Sequence, residues 1–316
     1  MSKKLDNKLK TALDETRLLF LGGQVLLGFQ FQAFFQDGFS TLATSATYLS
    51  LGGAMLMVIS MALLVAPAMQ HRLVEGGNTS GRLLRVTTFY AGASLIPLAI
   101  SLALATYIVI GRRYGMWAGV TSGLVLGGAC ALFWFGVEAF VGWSEGEIQM
   151  KETTTPLATK VEQLLTEARV IIPGGQALFG FQFIAMLTKG FDQLPHASQL
   201  VHTAGLCLIA LNVIFLMTPA ALHRLSFGGE DSDTFLRLGS LLVITAPLFL
   251  ALGIAAELYV LFEKVLANSG FSLTASLGGL LTMTMFWYII PLVLRWFWYP
   301  FRSGRPPEEA AFHPSS

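Results

Sequence analysis

A chain of 316 residues with 54% hydrophobic and 12% charged side chains and a mean hydropathy of +0.63 cannot present the polar surface that a water-soluble protein of this size needs. Its net charge of +1 gives no basis for nucleic-acid binding, so lipid is the implied solvent and partner. The two cysteines, Cys130 and Cys207, both fall in apolar runs and carry no redox signal.

Charged residues 1–10 lead straight into an apolar run without a small-residue cleavage site, so no removable signal peptide is expected. Residues 5–17 (LDNKLKTALDETR) set Leu5, Leu9 and Leu13 four apart, the pattern of a helix lying in a membrane interface. Apolar runs and breaker residues then predict spans over 17–36, 45–67, 85–110 and 116–141. The polar stretch 144–156 reads as a hinge. A second interfacial stretch, 157–169 (LATKVEQLLTEAR), precedes spans over 169–188, 198–219, 237–262 and 271–297, and the tail after Pro300 reads as disordered. Lipid offers no partner to free backbone groups, so every span must be helical.

Residues 5–73 recur at 157–225 with one fixed offset of 152, and 25 of the 69 aligned positions are identical. The chain is an internal duplication. Four spans per repeat is an even number, so both halves enter the membrane from the same side. The expected fold is therefore an all-α integral membrane protein of about eight helices, two parallel four-helix repeats related by a pseudo-twofold along the membrane normal. The expected divisions are 1–150, 151–300 and a tail, 301–316.

Basic residues orient it. One face, carrying both termini, the hinge and the loops after spans two and six, holds sixteen of the twenty Lys and Arg residues, and the other holds only Arg112, Arg113, Lys189 and Lys264. By the positive-inside rule both termini are cytoplasmic, in a cell (inner) membrane. Trp143, Trp296, Trp298 and Tyr299 fit the inner interface and Trp117 the outer.

Two duplicated motifs place polar groups inside apolar spans. GGQxLxGFQF supplies Gln24, Gln30 and Phe31 in one copy and Gln176, Gln182 and Phe183 in the other. One reading is interhelical glue, with amides bonding and glycines letting backbones approach. The other is a substrate path between the halves. The second motif, PAxxHRL, ends spans two and six with His71 and Arg72, and with His223 and Arg224. With Glu15 and Arg17, and their equivalents Glu167 and Arg169, these form either a structural clasp or a cytoplasmic gate with titrating histidines. A haem held between the two histidines ranks behind both.

Mid-span Pro97 and Pro247 suggest kinked or discontinuous helices. An ion-coupled exchanger commonly keeps a carboxylate near the bilayer midplane, and none is evident: Glu138 falls near the inner end of span four and Glu257 near the outer end of span seven. Walker, HExxH, CxxC and nucleophile-elbow patterns are missing, so the expectation is a non-enzyme with no catalytic residue, metal or cofactor.

Through ExR, GGQxLxGFQF and PAxxHRL the chain resembles a bacterial membrane family classed as a domain of unknown function, some of whose members carry the automatic label sodium:proton antiporter. Members typically hold one four-helix unit, so the resemblance implies a tandem fusion over nearly the whole chain. The expectation is a small-solute or cation/proton transport protein; rival readings are a non-transporting structural or regulatory membrane protein and a passive channel. Self-association is compatible with the sequence but not required by it.

Overall fold

The computed structural model describes residues 2–136, 155–227 and 230–302, all helix and short connections, with no β-sheet among them. Helices α1 (Ser2–Ala33), α2 (Thr44–Leu73), α3 (Gly81–Tyr114) and α4 (Met116–Ala131) build the first repeat. Helices α5 (Leu157–Ala185), α6 (His196–Leu225), α7 (Asp233–Leu266) and α8 (Ser269–Thr284) build the second. The duplication extends to the element ends: α2 and α6 share their bounds at the offset of 152, as do α3 and α7. Each fourth helix runs into a π-helical turn, Leu132–Gly136 (LFWFG) or Met285–Ile289 (MFWYI), the second continuing as α9 (Ile290–Arg302).

Six of these helices are long and apolar enough to cross a membrane: α2, α3, α4 through Phe135, α6, α7, and α8 through Trp296. They coincide with six of the eight expected spans. The other two, at 17–36 and 169–188, fall on α1 and α5, whose paired glutamines dilute the apolar run. The hinge at 144–156, apart from its last two residues, lies outside the described residues, as do Glu138, Trp143 and all of the tail after Arg302.

Local chemistry repeats too. Ser80 and Ser232, 152 apart, cap α3 and α7 by accepting from the amides of Leu83 and Phe235. Inside each repeat a polar side chain at the same position helps tie the second helix to the third. Ser60 donates to the Ser94 carbonyl at 2.9 Å, and at the equivalent positions Asn212 donates to the Ala246 carbonyl at 2.8 Å. Such bonds hold helices together where no hydrophobic difference drives them. On α4, Gly119 and Gly123 let α3 approach until a methyl group at either would meet its backbone.

Two expectations are corrected. The stretches at 5–17 and 157–169 are not separate interfacial helices but continuous parts of α1 and α5. Leu9 and Leu13 are buried against Leu83, so their apolar stripe is spent on protein contact. Helices α3 and α7 also run unbroken through Pro97 and Pro247, so of the two forms expected there the discontinuous one does not occur. The lost backbone bond at each proline does not divide the helix, because its neighbours in the bundle hold it in place.

Helices α1 and α5 join the halves. Their contacts rise together along both helices, Lys10 with Glu162, Arg17 with Glu167, Gln24 on Gly174 and Phe29 on Phe181, and continue just past their ends with Phe35 on Gly190. The helices therefore run in the same direction. Lys10 faces Glu162 at 2.9 Å and Phe29 faces Phe181 at 4.4 Å between ring centroids. Both are pairs of repeat-equivalent positions.

Candidate functional site

Near the motif end of the bundle, Glu167 is buried between two arginines. Arg72 reaches it with Nε at 2.9 Å and Nη2 at 2.5 Å, and Arg17 with Nη2 at 3.2 Å while holding Asp14 at 2.7 Å. Arg72 also donates to Ser240 at 3.4 Å. This cluster joins α1, α2, α5 and α7. Only one copy of it exists among the described residues: Glu15, Arg169 and Arg224 are all exposed.

The histidines of the motif are not brought together. His71 is buried beside Arg72, whereas His223 faces Asp231 at 3.5 Å and lies on the Phe235 ring. No bond or ring contact links the two among the described residues.

The glutamine and phenylalanine pairs also part company. Gln24 is fully buried against Gly174 with no protein partner for its amide, while Gln176 is exposed. Phe31 is buried and Phe183 faces outward. Gln30 donates to Ser101 at 2.7 Å and borders a cavity; Gln182 is buried next to a histidine. Four symmetric side chains lining one passage are not what this geometry contains.

The histidine beside Gln182 is His202, on α6, and with a carboxyl group it forms a second buried cluster of ionisable side chains. Its Nδ1 faces both carboxyl oxygens of Glu257 on α7, at 2.9 and 3.1 Å, and both side chains are fully buried. Its Nε2 lies 3.0 Å from the Gln182 carbonyl. A carbonyl only accepts, so Nε2 carries a hydrogen. The Nδ1–carboxyl contact then needs one proton, held by the ring or by the acid; without it a lone pair would face a carboxylate.

Small residues and rings shape the pocket around the pair. A methyl group on Gly205 would press on Glu257, so glycine makes room for the carboxyl. Phe35 and Phe191 set their ring edges against His202, at 5.8 and 5.1 Å. Lys264 lies over the Phe35 ring, 5.4 Å from its centroid, and donates to the Gly190 carbonyl. Beyond Phe35 is a cavity of about 380 Å³ bordered by Asp37, Ser40, Thr47, Gln193 and Lys264.

Sequence reasoning passed over His202 and set Glu257 aside. The signal was present. At the offset of 152 they replace Ser50 and Ala105, so titratable groups stand in one repeat where the other has neutral ones.

The family model that matches is a family of unknown function (DUF6328), and it matches twice, over residues 1–138 and 151–291. The chain belongs to that family and carries its unit in tandem. No curated protein and no solved structure matches it.

Proposed function

We propose that the chain is a proton-coupled transport protein of the cell membrane, with His202 and Glu257 as its proton site. The observation that carries this reading is the buried imidazole–carboxyl pair itself. Ionisable side chains within apolar spans are costly, and where they are kept they commonly mark proton or ion pathways. This pair supplies the intramembrane carboxylate whose absence weakened an exchanger reading of the sequence.

About nine residues, roughly 14 Å of helix, separate Glu257 from the end of α7. The 380 Å³ cavity lies on that side, and Phe35 stands between it and His202. The route passes that ring rather than running between symmetric glutamines. Protonation neutralises the pair and stabilises the His202–Glu257 bond; proton loss sets like polarity face to face and loosens α6 from α7. A cation is the natural counter-substrate for a site that turns negative on losing its proton.

In the same reading both termini are cytoplasmic, which puts the Glu167 cluster at the inner face and Lys264 and Arg112 at the outer one. Helices α1 and α5 cross as well, completing eight spans about a pseudo-twofold along the membrane normal. The in-register facing of Lys10 with Glu162 and Phe29 with Phe181 supports that axis, because an inverted repeat would let equivalent positions meet only once.

The test is proton flux in vesicles containing a pH-sensitive dye, with a sodium or potassium gradient applied. Glu257→Gln should reduce ion-driven flux at least tenfold while the protein stays folded in detergent. Flux equal to wild type would overturn the assignment. A second reading, a membrane protein that transports nothing, draws support from the close contacts of Gln24 on Gly174 and Phe181 on Gly28. It predicts no flux under any gradient.

A further inference from the structure

Where the second repeat holds Gln182, His202 and Glu257, the first has Gln30, Ser50 and Ala105, and in place of a filled ion pair it has a cavity. All three residues border it, and its volume is about 250 Å³. Replacing imidazole and carboxyl with a hydroxyl and a methyl has left room.

The cavity walls are mostly apolar; Ser50 and Gln36 donate to carbonyls of their own segments, Ala46 and Gln32, and two further polar groups stand at separate places. At one, Gln30 donates through Nε2 to Ser101, whose own hydroxyl donates to the Gly53 carbonyl at 2.8 Å. That chain fixes the amide orientation and leaves Gln30 Oε1 as a buried acceptor with no protein partner. At the other, Arg112 lies across Gly38, its Nε donating to Thr41 at 3.1 Å. It makes no ion pair among the described residues. Ser101 and Arg112 are eleven residues apart on α3, roughly 16 Å, part of which the arginine side chain spans. Phe34 and Phe39, with ring centroids 4.5 Å apart, form one wall.

We propose that this cavity binds a small aromatic carboxylate bearing a hydrogen-bond donor at its far end. The carboxylate meets Arg112, the ring packs against Phe34 and Phe39, and the donor satisfies Gln30 Oε1. The volume lies just under the usual range for small-molecule sites and is too small for a two-tailed lipid. A site with an unpaired buried acceptor discriminates strongly against a ligand that lacks the donor.

The experiment is calorimetric titration of the full chain in lipid nanodiscs with 4-hydroxycinnamate, with cinnamate (no hydroxyl) and 4-hydroxyphenylethanol (no carboxylate) as comparators. We expect saturable one-to-one binding of the first and at least tenfold weaker binding of each comparator. Arg112→Gln should weaken 4-hydroxycinnamate tenfold, Gln30→Leu should erase its advantage over cinnamate, and Ala105→Phe should abolish binding. No saturable binding, equal affinity for all three compounds, or unchanged binding by a folded Ala105→Phe would each overturn the proposal. The proton site is tested separately: Glu257→Gln should leave this binding intact, so either proposal can fail alone.

Discussion

The two repeats share a blueprint and differ in what they bury. The first keeps Arg17 and Arg72 inside and leaves its own Glu15 outside; the second buries Glu167 and leaves Arg169 and Arg224 outside. The second fills the space between its second and third helices with His202 and Glu257, and the first leaves its counterpart open. A dimer of identical units would have to carry every such group twice. At position 10 it would set lysine beside lysine, whereas the fused chain sets Lys10 against Glu162. Covalent fusion removes the obligation to be symmetric, and the charged residues are where the copies have parted.

Paired substitutions at equivalent positions sharpen this comparison. The largest difference is expected at the glutamates. Removing Glu167 strands two buried guanidinium groups, so Glu167→Ala should cost about 3 kcal/mol in a denaturant titration in mixed micelles. Glu15→Ala should stay within about 0.5 kcal/mol. Equal losses would mean that both copies of the clasp form in solution.

A smaller contrast is expected at the glycines. Gly174 has no room for a side chain because Gln24 lies against it, while its counterpart Gly22 faces open space. Gly174→Leu should cost about 2 kcal/mol through overpacking, and Gly22→Leu almost nothing, read in the same titration. The smallest concerns the tryptophans of the two π-helical turns. Trp287 is fully buried and donates to the Ala62 carbonyl at 2.9 Å, closing the second repeat onto the first. Trp287→Phe should cost about 1 kcal/mol for the lost bond, and the same change at Trp134, which is only partly buried, should cost less.

Much of this was legible in the sequence. The fixed offset located both units, and length and hydropathy found all six helices apolar enough to cross a membrane. Charges at the foot of apolar spans singled out Arg17, Arg72 and Glu167, but as parts of a two-copy clasp, whereas one cluster forms and Glu15, Arg169 and Arg224 stay exposed. What stayed hidden was produced by packing. His202 and Glu257 are 55 positions apart, and only the approach of α6 to α7 at Gly205 brings ring and carboxyl together. Motif repetition directed attention to what the copies share, while the proposed proton site lies where they differ. The interfacial stretches were misread for a related reason: an apolar stripe looks the same whether lipid or Leu83 covers it.

Helix α1 is one uninterrupted rod of 32 residues, and it touches both places where this molecule does its electrostatic work. Arg17 grips Glu167 at the middle of the helix, and just past its C-terminal end Phe35 lies against His202. A stiff rod pinned at its middle pivots about that point, so a swing that lifts the aromatic ring off the imidazole must also strain the arginine anchor.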